Sequence, residues 1–118
     1  MNKDRRKAIA SAVEELNEAK ALIEEAQGKI ENAKSTLEDA CGEEQEYKDN
    51  MPENMQDGDK GQRADEAISN LEDATSEAEN GDDTVTTAID KIDEIVSALE
   101  DAANAMDNAA SSAESAAE

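Results

Sequence analysis

The sequence predicts an all-α fold: a long, antiparallel, alanine-rich coiled-coil hairpin of two helices that dimerises into a four-helix bundle. Three observations carry this expectation. Apolar residues return every seven positions through two long runs. A short segment holding the only proline separates those runs. The composition leaves no material for a thick core: apolar types make up 36% of 118 residues, alanine supplies 22 of them, and Phe and Trp are absent. High charge and low hydropathy point towards disorder, but a single proline argues against it.

The first run reads Ile9, Leu16, Ile23, Ile30 and Leu37 at heptad position a, with Ala12, Ala19, Ala26, Ala33 and Ala40 at position d. An all-alanine d row lets two helix backbones approach closely, and Tyr47 takes the next d position. A helix over 3–47 follows, despite Gly28 and Gly42. The second run holds its a row from Ala64 through Leu71, Ala78, Val85, Ile92, Leu99 and Met106 to Ala113. That predicts a helix over 62–108, with a kink or break at 80–83, where Asn80-Gly81-Asp82-Asp83 interrupts it. The preserved phase favours continuity there. A low-complexity Ala/Ser tail occupies 109–118. All of 1–118 reads as a single helical domain.

Between the runs, 48–61 reads as the connecting loop, with Pro52 and its glycines as breakers. Asn50 can cap a short helical turn that has Pro52 near its start, and Met51 and Met55 either plug the end of the helix pair or sit in solvent. Folding back at this loop sets Tyr47 near Ala64 and brings the basic start, Lys3, Arg5, Arg6 and Lys7, beside Glu100, Asp101 and Asp107. Position e of the second helix adds Ile68, Ile89 and Val96, and the first helix adds Val13 at e and Leu22 at g. These widen the apolar stripe beyond what one partner helix covers. They are the reason to expect a homodimer.

Charge is the other dominant feature. Asp and Glu number 32 against 11 Lys and Arg, for a formal net charge of −21. In the second helix the acids recur as b and c pairs: Asp65 and Glu66, Glu72 and Asp73, Glu79, Asp93 and Glu94, Glu100 and Asp101, and Asp107. The first helix repeats the pattern more weakly, with Lys20, Lys29 and Lys34 at e and g beside the seam. These ten acids of the second helix are the candidate partner-binding residues. Spread over a hairpin of roughly 65–70 Å, all 32 acids of the chain fall about 2 Å apart along the axis. Duplex DNA carries one charge per about 1.7 Å. The plain alternative is a solvated coiled-coil surface, on which charge at b, c and f is ordinary.

Several functions fall away. With no His and one Cys, neither a His/Cys zinc site nor a His-assisted nucleophile is available. No calcium-loop pattern with a closing Glu is present, so no metal or other cofactor is expected. Exposed carboxylates on a thin helix pair have no pocket to shift their pKa values, so an enzyme is not expected. Cys41, at position e, has no intrachain partner and reads as a small packing residue. No apolar run approaches a membrane span, and so acidic a chain does not suit direct nucleic-acid binding.

Glu43-Glu-Gln-Glu-Tyr-Lys-Asp-Asn-Met-Pro-Glu-Asn-Met-Gln56 resembles a segment of small uncharacterised acidic helical proteins of bacteriophages and prophages, which read EEQEYxDNMPExLQ. The opening Met-Asn-Lys-Asp-Arg-Arg-Lys-Ala-Ile is similar too, and Met55 stands where Leu is usual. The resemblance spans most of residues 1–75. It implies a mobile-element origin and the cytoplasm of a bacterial host, with no activity to carry over. The resulting expectation is a non-enzymatic phage-encoded inhibitor. Its acidic face mimics nucleic acid and occupies the basic channel of a host nucleic-acid-binding protein such as a CRISPR-type defence nuclease. The alternative is a structural coiled-coil spacer, assembly factor or virion-associated protein without mimicry.

Overall fold

A computed structural model describes residues 2–117 of the chain, with side chains from Lys3 to Asn108. Three helices follow in order: α1, Asn2–Asp49; α2, Glu53–Gln56; and α3, Asp59–Ala117. No strand occurs among the described residues. The described chain divides into two compact units. One joins Met1–Glu25 to Thr86–Glu118, and the other is Ala26–Val85. In each unit a segment of α1 pairs antiparallel with a segment of α3.

The helices form because their sequences are rich in Ala, Glu, Lys and Leu, which lose little freedom in a helix. α3 runs unbroken through 80–83. Thr84 donates its hydroxyl to the Asn80 carbonyl at 2.9 Å, on the same turn as Gly81. The backbone of α3 stays helical to Ala117, beyond the expected end at 108. The side chains of the Ala/Ser tail lie outside the described residues.

The connection is tighter than the expected 48–61 loop. The Met51 N–H donates to the Lys48 carbonyl and ends α1, and Pro52, at φ −54°, leads into the single turn of α2. The Gln56 side-chain amide donates back to the Met51 carbonyl at 3.0 Å. Met51 is buried, whereas Met55 is 37% exposed, so one methionine closes the end of the pair and the other faces water. Gly61 is required here: a Cβ would lie 1.8 Å from the Gln56 carbonyl oxygen.

The seam is wider than the expected a and d rows. On α1 every a and e residue from Ile9 to Lys48 is half-buried, and on α3 every a and e residue from Ala64 to Met106 is half-buried or buried. At d, Ala12, Ala19 and Ala40 on α1 and Ala67, Ala74 and Ala88 on α3 are half-buried, whereas Ala26, Ala33, Ile95 and Ala102 are exposed. Row e therefore joins a and d in the seam. On α1 it reads Val13, Lys20, Gln27, Lys34, Cys41 and Lys48. The reason is reach: four methylenes of lysine cover more of a neighbouring helix than an alanine methyl, while the ammonium stays wet. Ile68 is only 8% exposed, and Ile89, Val96 and Val13 are half-buried, so these residues serve the seam of their own hairpin and do not await another surface.

Gly81 sits in a helix with open space where a Cβ would go. Gly81→Ala is expected to stabilise the chain by about 1 kcal/mol, read as a higher thermal midpoint by circular dichroism. Gly61→Ala is expected to lower the midpoint, because the Gln56 backbone must move aside.

Candidate functional site

Four bases at the e row of α1 each meet an acid at the b row of α3. Arg6 pairs with Asp107 at 2.7 Å, Lys20 with Asp93 at 2.8 Å and Lys34 with Glu79 at 3.1 Å, and Lys48 pairs with Asp65. The bases are fourteen residues apart along α1, and the acids fourteen apart back along α3. The residue numbers of every pair therefore add to the same total. The first two pairs lie in the Met1–Glu25/Thr86–Glu118 unit and the last two in the Ala26–Val85 unit. Of the acids expected beside the basic N-terminus, Asp107 is the one that pairs with Arg6.

The lysines also reach carboxylates of their own helix. Lys20 Nζ lies 4.0 Å from Glu24, and Lys34 Nζ lies 3.9 Å from Glu38, both at position b. Each ammonium thus stands between a b-row acid of α1 and a b-row acid of α3. That arrangement puts the b rows of both helices on one flank of the seam. Helical geometry then puts both d rows on the other flank, with the c rows facing away from the seam.

All ten acids expected to bind a partner are exposed. Asp93, Glu94, Glu100, Asp101 and Asp107 belong to one unit, and Asp65, Glu66, Glu72, Asp73 and Glu79 to the other. They are not equivalent. Asp65, Glu79, Asp93 and Asp107 are held by α1 bases, and Glu94 by Lys91 at 3.2 Å. Glu66, Glu72, Asp73, Glu100 and Asp101 stand outside the ion pairs: Glu72 and Glu100, at b, form the open part of the acidic flank, and Glu66, Asp73 and Asp101, at c, face away from the seam. Glu24 and Glu38 join the acidic flank from α1. The signal for them was the fourteen-residue repeat of bases at e.

The ion pairs shift the lysines. The hydrogen bond from Lys20 to Asp93 raises its pKa above the ordinary 10.5; the Asp93 and Glu24 charges add to this, and partial burial opposes it. Lys34 is raised by its hydrogen bond to Glu79. Burial opposes that effect, while the charges of Glu79, Glu38 and Asp82 support it. Both lysines therefore remain cationic at neutral pH, and the two-helix clamp on each ammonium is intact there.

The d-row flank has a different character. Alanine dominates its d rows, and the g rows beyond carry few charges. In the Met1–Glu25/Thr86–Glu118 unit its charged residues are Arg5, Glu15 and Lys91. In the Ala26–Val85 unit they are Lys29, Glu43, Lys60, Arg63 and Glu77. Bases outnumber acids on this flank of each unit, in a chain of net charge −21. Leu22, 67% exposed, and Ile95, 48% exposed, also lie here. No metal-binding group of three acidic, His or Cys side chains gathers among the described residues, and no cavity opens. No described helix is long and apolar enough to cross a membrane.

The register is testable by charge exchange. Lys34→Glu is expected to lower the thermal midpoint at low salt. Adding Glu79→Lys should restore it, whereas adding Glu72→Lys should not. Because both folded-state lysine values are raised, their stabilising effect is full below the unfolded value of 10.5 and is lost as pH rises through the folded values. A thermal midpoint followed from neutrality upward should show this contribution disappearing only on the alkaline side of 10.5.

The chain matches no family model, no curated protein and no solved structure, so its function rests on the geometry of these two flanks.

Proposed function

We propose that this protein is a phage-encoded, non-enzymatic inhibitor. Its acidic flank imitates the phosphate rows of nucleic acid and occupies the basic channel of a host nucleic-acid-binding protein, such as a defence nuclease of the CRISPR type, in the bacterial cytoplasm. The observation that carries this reading is the grouping of b-row carboxylates from both helices on one side of the seam, with the c-row carboxylates on the adjoining outer face. Within a row the acids recur about every 10.5 Å, and rows from two helices interleave. A helix pair is also narrow enough to enter a groove built for a duplex. Ion pairing holds five of the ten candidate carboxylates, Asp65, Glu79, Asp93, Glu94 and Asp107, so less side-chain freedom is lost at these when a partner docks. The likeness of 43–56 to phage and prophage proteins supports the mobile-element origin. We further propose that the hairpin acts as a homodimer, a four-helix bundle whose acidic flanks face outward.

The test is affinity capture from bacterial lysate with the wild-type chain and a variant reversed to Lys at Glu66, Glu72, Asp73, Glu100 and Asp101. These positions lie outside the ion pairs, so helicity should survive the change. The expected result is a captured DNA- or RNA-handling protein that competing duplex DNA releases and that the variant fails to retain. Its affinity should fall by about tenfold or more between about 50 and about 200 mM salt. Capture that tolerates both charge reversal and salt, or recovery of phage structural proteins instead, would replace mimicry with the spacer or assembly role.

A further inference from the structure

We infer that the helix pair contains a joint, formed by 28–36 of α1 and 80–85 of α3, at which both helices yield together. Both segments belong to the Ala26–Val85 unit. The constant total of the rung numbers sets them side by side: Gly28 lies level with Val85, and Gly81 with Asn32. Packing demands neither glycine, since a Cβ at either would meet open space. Each nonetheless weakens its own helix by leaving the backbone more freedom. From Asn80 to Val85, α3 holds no strong helix former, and Thr84 and Val85 are β-branched. Thr36 donates to the Asn32 carbonyl at 3.1 Å, and Thr84 to the Asn80 carbonyl at 2.9 Å. Bonds of this kind compete for the helix's own carbonyls and favour bending. Elsewhere in the unit Thr75 makes the same bond to Leu71, opposite Gly42, but α3 reads Leu-Glu-Asp-Ala there and has no glycine.

The seam offers little apolar surface at the same level. In the heptad from Ala78, rows a, d and e of α3 read Ala, Gly and Asp, the least apolar set between Ala64 and Ala103. On α1, Ala33 is exposed at d and Lys34 follows at e. What holds the two segments together is charge. Lys34 Nζ lies 3.1 Å from Glu79 and 3.9 Å from Glu38, and the Asp82 charge acts on it as well. Removal of the ammonium would leave three carboxylates to repel one another where the seam is weakest. Lys34 is thus a latch across the joint. The Lys48–Asp65 pair, in the same unit, keeps the register beside the turn while the joint flexes. A helix pair that bends at one level can follow a surface that is not straight, whatever partner presents it.

Hydrogen exchange of the full chain, followed peptide by peptide and corrected for intrinsic rates, decides it. Amides of 28–36 and 80–85 are expected to exchange about tenfold or more faster than those of 37–47 and 64–76. Gly28→Ala and Gly81→Ala should each slow both segments about fivefold, because the two open as one. Gly42→Ala, also made into open space, should leave both segments unchanged. Lys34→Gln should speed both segments about threefold with unchanged helical circular dichroism, and Lys48→Gln should not. Equal protection across the four segments would overturn the joint. Fast exchange in one segment alone, or slowing confined to the helix that carries the substitution, would overturn it too, by showing a weak stretch of a single helix. Exchange that ignores Lys34→Gln would overturn the latch.

Discussion

Lysine at seam row e is the placement on which the rest of this structure depends. The helices bring little apolar surface to each other: only Met51, Ala64, Ile68 and Ile92 are buried apolar residues among those described. Lys20, Lys34 and Lys48 make up part of the deficit with their methylene stems, which lie along the seam while their ammonium groups emerge on one flank. Emergence there draws the b-row carboxylates of both helices to the same side. The register, the acidic flank and the contrasting alanine flank all follow from that one choice of side. Exposed ion pairs are individually weak, so the pairs select among registers more than they supply stability.

Much of the fold was legible because the a rows are strongly apolar and keep their phase over many turns. Ile9 to Leu37 and Ala64 to Met106 define two helices and one turn without further help. The part that row e plays in the seam was not legible. Alanine counts as apolar and lysine as polar in any pattern, yet across a helix pair the longer side chain covers more of its neighbour. The same ambiguity hid the status of the acids. Asp93 and Glu100 look alike in sequence, being b-row carboxylates one heptad apart. Only the side on which row e falls shows that Asp93 meets Lys20 and that Glu100 lies level with Val13. Gly81 misled for a simpler reason: a glycine weakens a helix without ending it, and the heptad phase on either side already argued that the helix continues.

A protein with two unlike flanks can divide two tasks between them. The acidic flank holds its carboxylates in rows by tying some of them to lysine and leaving others, such as Glu72 and Glu100, open. The d rows of both helices carry no acid. Each property would be lost if the acids were distributed evenly around the helices. The uneven distribution is itself costly, since neighbouring carboxylates repel along each row. A solubilising surface would spread them.

The order of the ionic rungs also constrains how this chain can lengthen or shorten. A one-heptad slip of α3 along α1 keeps the apolar rows in step but brings Lys34 level with Thr86 in one direction, and Lys20 level with Thr86 and Lys48 level with Gly58 in the other, so every such slip loses at least one rung. Removal of fourteen residues from one helix alone has a related effect, because the partner segment is left without an opposite. Removal of fourteen from α1 together with the fourteen that face them on α3 preserves every remaining rung and the turn at Gly61. Viable relatives of different length should therefore differ by such matched blocks, like sections taken from both rails of a ladder at once.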